Sequence, residues 1–153
     1  MKKIGFVGVG IMGKSMVRNL MKAGFEVSIY TRTKSKVEDV IGEGAIWCDS
    51  VAECAKGRDA VISIVGYPKD VIEVYFGPAG ILANADPGTY VIDMTTTSPK
   101  LAVQIFDEAE KLGLHAIDAP VTGGDSGAKA GTLTILAGGK IRKKDKAAEV
   151  KKA

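Results

Sequence analysis

The strongest structural signal in the chain is a stretch near its start, Ile4-Gly5-Phe6-Val7-Gly8-Val9-Gly10-Ile11-Met12-Gly13-Lys14-Ser15. The apolar run at 4–7 has the length of one buried strand, and apolar residues recur at helical spacing from Met12 onward. The three glycines at 8, 10 and 13 match G-x-G-x-x-G. A strand, a glycine turn and a helix in this order predict a site for the pyrophosphate of a dinucleotide.

Each glycine has its own predicted role in that site. Gly8 permits the tight turn, Gly10 lets the backbone approach the pyrophosphate, and Gly13 lets the helix pack closely on the strand. The unpaired amides at the helix start then face the anion. We therefore expect Gly8, Gly10, Gly13 and the intervening Ile11 and Met12 to border the cofactor.

The same residues also match a rival motif, the phosphate loop of nucleotide triphosphatases, as Gly8-x-x-x-x-Gly13-Lys14-Ser15. The acidic strand at 90–93 would then hold magnesium. Two points favour the dinucleotide. The loop interior is apolar, and Lys14 falls early in the helix, where it should turn away from the phosphates. A glycine-rich turn without any ligand is a third alternative.

Length and composition indicate one globular domain of 153 residues with a substantial core. No apolar run reaches the roughly 18 residues of a membrane span, and the start lacks the small-residue cleavage site of a secretory signal. Cys48 and Cys54 lack metal or redox spacing. We expect no metal site, two buried thiols and a cytoplasmic location.

The net charge of +3 comes from the end of the chain. Residues 140–153 carry seven Lys or Arg and two acids, whereas the remainder carries 14 and 16 and is therefore negative. We expect a dinucleotide-binding domain at 1–139 and a basic tail at 140–153, helical or disordered. The uneven distribution argues against a nucleic-acid-binding fold.

Strands and helices alternate along the chain. Strands are predicted at 4–7, 26–30, 45–47, 60–65, 90–94, 114–117 and 132–137, and helices from Met12 and at 34–41, 50–55, 71–76 and 99–112. The continuous β-branched run at 60–65 is typical of a buried parallel strand. The pattern predicts an α/β fold of Rossmann type, a doubly wound, mostly parallel sheet with helices on both faces.

The end of the second predicted strand bears on the choice of cofactor. An acid at this position would bind the ribose 2′-hydroxyl of NAD, but the chain has Thr31-Arg32-Thr33-Lys34-Ser35-Lys36. Arg32 can pair with a 2′-phosphate and stack on adenine, and Thr31, Thr33 and Lys36 add donors. This favours NADP over NAD; a solvated basic turn is the alternative.

Other strand ends supply further candidates, because ligands bind outside the carboxyl ends of parallel strands. Val65, Gly66 and Tyr67 are candidate ribose contacts, although a plain turn would have the same sequence. Threonines at 95–97 are placed to meet a carboxamide or simply to form the turn. His115 lies within a predicted strand, which favours a structural role over a catalytic one.

The glycine-rich segment 118–133 begins Asp118-Ala119-Pro120-Val121-Thr122-Gly123-Gly124. It is predicted to be a loop, either one that presents amides and a hydroxyl to a carboxylate or merely a flexible connection. With this segment in view, the chain resembles the N-terminal domain of the β-hydroxyacid dehydrogenases, a group that includes 3-hydroxyisobutyrate dehydrogenase; 6-phosphogluconate dehydrogenase is a more distant relative. Residues 8–13, 30–33 and 118–124 carry the resemblance, which extends over 1–139.

The resemblance implies an NAD(P)-dependent oxidoreductase that acts on a small hydroxy acid or semialdehyde. It places Thr96 near the nicotinamide and assigns substrate binding to Thr122, Gly123 and Gly124, with Thr122 where the family usually has Ser. It excludes the triphosphate alternative.

One departure concerns catalysis. The family's catalytic lysine lies in a G-x-G-x-x-x-K motif on a long helix that follows this domain. No such motif occurs after Gly139, and the same spacing at residues 8–14 belongs to the glycine turn. The resemblance therefore implies no catalytic residue here, and it leads us to expect that the all-helical second domain, which usually forms the dimer, is absent. The alternative to the enzyme is a dinucleotide-binding module without turnover. The resemblance leaves the oligomeric state open.

Overall fold

The computed structural model describes residues 2–95, 98–122, 124–131, 134–135 and 138–139. Its strands are β1 (Lys3–Val7), β2 (Glu26–Tyr30), β3 (Ile46–Trp47), β4 (Ala60–Ser63), β5 (Tyr90–Asp93), β6 (His115–Asp118), β7 (Val121–Thr122), β8 (Thr134–Ile135) and β9 (Gly138–Gly139). Its helices are α1 (Ile11–Lys22), α2 (Glu38–Gly42), α3 (Val51–Ala55), α4 (Pro68–Tyr75), α5 (Ile81–Asn84), α6 (Pro99–Lys111) and α7 (Gly124–Ala130), with a 3₁₀ turn at Lys34–Lys36.

The main sheet has the strand order β3-β2-β1-β4-β5-β6-β9. Its first six strands are parallel, and β9 pairs antiparallel with β6. The chain begins at the centre, runs outward to β3 and then crosses to the other side of β1. Such a reversal creates a switch point between β1 and β4, where ligands bind in open parallel sheets. The predicted Rossmann-type fold is confirmed.

Each face of the sheet has its own core, because successive side chains of a strand point to opposite faces. Ile4 and Phe6 pack with Val17 and Leu20 of α1 on one face. Val7 packs with residues of α3, α4 and α6 on the other. Between them, Gly5 lies so close to α3 that a β-carbon would overlap the carbonyl oxygen of Cys54.

Both cysteines are buried free thiols, as predicted. The Cys54 thiol donates weakly to the carbonyl oxygens of Phe6 and Ser28, at 3.7 and 3.5 Å. These contacts hold α3 against the centre of the sheet.

Several predicted boundaries are wrong. The helix expected at 34–41 is divided into the 3₁₀ turn and α2, because Val37 has a non-helical φ of −124°. The helix expected at 71–76 begins earlier, at Pro68, where the fixed φ of proline suits a first helical position. Helix α5 was not predicted.

The glycine-rich segment contains the largest correction. Residues Gly124–Ala130, expected to lie in a loop, form α7. Gly127 and Ala128 are buried, and the Asn19 amide of α1 donates to the Ala128 carbonyl oxygen at 2.7 Å. Small residues permit this close approach to α1, and the resulting packing outweighs the low helix propensity of glycine. The strand expected at 132–137 is described only as β8, which pairs with β7.

The described residues contain no helix of sufficient length and apolar character to cross a bilayer. The same ranges hold no group of three or more His, Cys, Asp or Glu residues arranged to bind a metal ion.

Candidate functional site

A crevice of about 820 Å³ opens at the carboxyl ends of β1, β2 and β4. This volume lies within the range typical of small-molecule sites. The predicted cofactor residues that line it are Gly8, Gly10, Ile11, Met12, Gly13, Thr31, Arg32, Thr33, Lys36, Val65 and Gly66. The fold thus brings together the glycine turn, the end of β2 and the start of the β4–α4 connection, which are far apart in sequence.

The glycine turn has the geometry that its sequence predicts. Gly8 has a φ of +91°, and a β-carbon there would overlap the carbonyl oxygen of Ile64. A β-carbon on Gly13 would lie 2.8 Å from the Gly8 carbonyl oxygen. Gly10 differs, since its β-carbon would meet nothing within 4 Å and would project into open space. Gly8 and Gly13 are therefore required by the fold itself, whereas Gly10 leaves room for a ligand.

Helix α1 begins at the floor of this crevice. Gly10 is its N-cap residue, without a side-chain cap, and its first turn contains no acidic residue. The first amides of a helix lack intrahelical partners, and the helix dipole favours an anion at this end. The arrangement is suited to a phosphate group.

Lys14 does not take the position that a phosphate loop requires. Its ammonium group contacts the Asp39 carboxylate at 3.1 Å on the side of α2. Asp93, the acid proposed to hold magnesium in that alternative, is only 4% exposed and accepts hydrogen bonds from protein groups. The triphosphate alternative therefore lacks both its lysine and its metal ligand.

Arg32 extends from the end of β2 to the opposite wall of the crevice. Its Nη2 lies 2.9 Å from Asp70 Oδ1 and 3.1 Å from Glu73 Oε2, both on α4. These two acids also line the crevice, and the sequence analysis missed them. The available signal was their spacing of three residues, which places both on one face of a helix.

The remaining predicted site residues lie elsewhere. Tyr67 is the N-cap of α4, is 67% exposed and is not among the residues that line the crevice. Thr122 belongs to β7, and Gly124 opens α7. Thr96 and Gly123 lie outside the described residues. His115 is exposed, and its ring lies tilted by 31° against that of Tyr90, with the ring centroids 4.8 Å apart.

A buried hydrogen-bond network joins the ends of β4 and β5. Asp93 Oδ1 accepts from the Ser63 hydroxyl at 3.1 Å and from the Thr95 backbone N–H at 3.0 Å. The Thr95 hydroxyl in turn accepts from the Val65 backbone N–H at 3.0 Å. Asp93 thus fixes the two connections that carry Val65 and Thr95. From its sequence, Asp93 was expected only as a metal ligand of the rival phosphate-loop alternative, and this role was not predicted.

A second carboxyl group lies beside this network. Asp118 is in register with Asp93 on the neighbouring strand. Asp93 Oδ2 and Asp118 Oδ1 are buried and have no hydrogen-bond partner among the described residues. Burial raises the pKa of both carboxyl groups above the ordinary aspartate value, because a low-polarity environment disfavours the charged form. The carboxyl ends of β5 and β6 therefore stabilise a negative charge on these two side chains poorly.

The chain is similar to known oxidoreductases in both sequence and structure. An uncharacterized oxidoreductase of Bacillus subtilis, YkwC, is 53% identical over 138 residues, which cover 90% of this chain and 48% of the relative. The structure of Mycobacterium tuberculosis 3-hydroxyisobutyrate dehydrogenase with L-serine superposes with a TM-score of 0.87 at 30% identity, covering 99% of this chain and 51% of that one.

A third relative has been solved with a cofactor. Psf3 in complex with NADP⁺ and 2-OPP has a TM-score of 0.85 at 28% identity and covers 90% of this chain and 49% of that one. The chain spans about half the length of each of these relatives. Residues 3–153 match the protein family described as the NAD binding domain of 6-phosphogluconate dehydrogenase. Together with the glycine turn and the strand order, this match shows that the chain belongs to that family of NAD-binding domains.

Proposed function

We propose that this chain is the cofactor-binding part of an NADP(H)-dependent oxidoreductase that acts on a small hydroxy acid or its semialdehyde. One observation carries the proposal. The open space at Gly10, the uncapped start of α1 and the Arg32 guanidinium all border a single crevice. A diphosphate group at the helix start and a further phosphate near Arg32 would correspond to the central pyrophosphate of NADPH and to the 2′-phosphate on its adenosine side.

The protein residues would bind and orient the cofactor, which itself supplies the hydride. The first amides of α1 would receive the pyrophosphate. Arg32 would donate charge-assisted hydrogen bonds to the 2′-phosphate, with Thr31, Thr33 and Lys36 nearby. The network around Asp93 would hold the connections that carry Val65 and Thr95 in fixed positions, which limits the motion of the nicotinamide end.

The substrate class is proposed from the relatives and from the 118–124 segment. The Mycobacterium tuberculosis relative is described as a 3-hydroxyisobutyrate dehydrogenase with L-serine, and both compounds are small carboxylates. We propose that Thr122, Gly123 and Gly124 bind the substrate carboxylate. We also propose that the NAD(P)-binding domain comprises residues 1–139. A cytoplasmic location remains part of the proposal, in keeping with two free thiols.

Side-by-side titration with NADPH and NADH tests the proposal. We expect binding of both, with NADPH the tighter. Arg32→Glu should weaken NADPH by about ten- to a hundredfold, the value of one or two charge-assisted hydrogen bonds, and should affect NADH far less. Lys56→Glu is a matched control, because Lys56 is exposed and lies outside the crevice lining. Equal losses for both cofactors would remove the 2′-phosphate assignment, and no binding of either would overturn the function.

A further inference from the structure

Three charged groups meet across the mouth of the crevice. Arg32 comes from β2, whereas Asp70 and Glu73 come from α4, which follows β4. Because β1 lies between these two strands in the sheet, the contacts bridge the opening between two walls. We call these three residues the rim cluster.

The two acids differ in how firmly they are held. Asp70 is only 8% exposed, and its two oxygens serve different partners. Oδ2 accepts from the Tyr67 backbone N–H at 3.0 Å, which closes the start of α4, and Oδ1 accepts from Arg32. The Glu73 side chain is 72% exposed and contacts Arg32 one helical turn later. Asp70 is thus a fixed partner of Arg32, and Glu73 is an adjustable one.

Both contacts use the same guanidinium nitrogen, Nη2. A 2′-phosphate at Arg32 must either displace these carboxylates or bind to the remaining N–H groups beside them. Displacement costs the energy of the existing ion pairs, and coexistence places a phosphate dianion near two negative groups. Both routes weaken NADPH. NADH carries no charge at the 2′ position, so the two carboxylates do not weaken its binding in this way.

We propose that Asp70 and Glu73 are specificity-determining residues that oppose Arg32 and reduce the preference of this site for NADPH over NADH. The inference rests on the proposed function, since it concerns the same crevice. It adds an acidic component supplied by α4 to a position where the end of β2 supplies only basic and hydroxyl groups.

The test uses Glu73→Gln, which retains an oxygen acceptor and removes the charge. We expect NADPH to bind about two- to fivefold more tightly, the range that corresponds to one exposed ion pair, and NADH to be unchanged. Measurements at low ionic strength keep screening small. Asp70→Asn should act in the same direction and more strongly, while an amide oxygen still accepts from Tyr67. Glu108→Gln is the control, because Glu108 pairs with Lys111 on α6 and does not line the crevice.

A double-mutant cycle separates a direct contact from a general charge effect. In the Arg32→Met background, Glu73→Gln should improve NADPH binding less than in the original background, because only the repulsion between Glu73 and the 2′-phosphate remains. An undiminished improvement there, an equal improvement for NADH, or no change with Glu73→Gln in the original background would each overturn the inference while leaving NADPH binding and the proposed function in place. Failure of the unaltered chain to bind either nucleotide would overturn both.

Discussion

Gly8 and Ile64 approach so closely that a β-carbon on Gly8 would overlap the Ile64 carbonyl oxygen. The contact joins the end of β1 to the end of β4, the two strands that border the switch point. The conformation of the glycine turn after β1 is therefore fixed by packing against the backbone at the end of β4. The three glycines of the motif can be separated experimentally, because they meet different surroundings.

Gly8→Ala should destabilise the protein by about 2–4 kcal/mol, because it combines a left-handed φ with a steric clash. Gly24→Ala is a matched control, since Gly24 has a φ of +94° and no neighbour within 4 Å of its β-carbon. Chemical denaturation measures both free energies of unfolding. If the two variants lose equal stability, the contact with Ile64 is not what requires glycine at position 8.

Gly10→Ala should separate binding from folding. Gly10 has a φ of −86°, which alanine adopts, so we expect the free energy of unfolding to change by less than about 1 kcal/mol, the scale of an N-cap replacement. The methyl group would project into the space assigned to the pyrophosphate, and NADPH affinity should fall by about tenfold or more. Gly42→Ala is the control: Gly42 lies in α2, its β-carbon would also meet nothing within 4 Å, and the change should leave NADPH affinity unaltered. Undiminished binding by Gly10→Ala would place the pyrophosphate elsewhere.

Asp93→Asn should change how stability depends on pH. Burial raises the pKa of Asp93, with Asp118 facing it from β6 and Tyr75 linked through the Ser63 hydroxyl. A carboxyl group with a raised folded-state pKa binds more protons when folded, so its contribution to stability is lost as pH rises from the unfolded value, about 3.9. The Asn variant lacks this loss and retains an acceptor for Ser63 and Thr95. Its stability relative to the unaltered chain should therefore increase between pH 4 and pH 7, as followed by denaturation at each pH. A difference independent of pH would contradict the assignment.

Turnover by the 153-residue chain should be negligible. The family resemblance implies that the catalytic lysine lies on a helix after this domain, so it assigns no residue here to donate a proton to the aldehyde oxygen. NADPH oxidation with succinic semialdehyde or glyoxylate, followed at 340 nm, measures this directly. Sustained turnover at rates typical of enzymes would show that a group within these residues supplies the proton.

The parts of the fold that sequence predicted are local. The glycine turn between β1 and α1 occupies consecutive residues, and its steric demands are visible in the motif itself. The pairing of Arg32 with Asp70 was not predictable in this way, because 38 residues separate them and only the strand order brings them together. Helix α7 was missed for a related reason, since its contact with Asn19 outweighs a composition that favours a loop.

The position of Cys54 offers a way to observe motion around the crevice. Both cysteines of the chain are buried, and the Cys54 thiol contacts backbone carbonyl oxygens of strands β1 and β2. A thiol reagent can reach Cys54 only when α3 separates from the sheet. The labelling rate of Cys54 therefore reports how often α3 separates from β1 and β2. A nucleotide held between the same strands would slow the labelling in proportion to its occupancy, and the chain thus contains an internal probe of its own ligand.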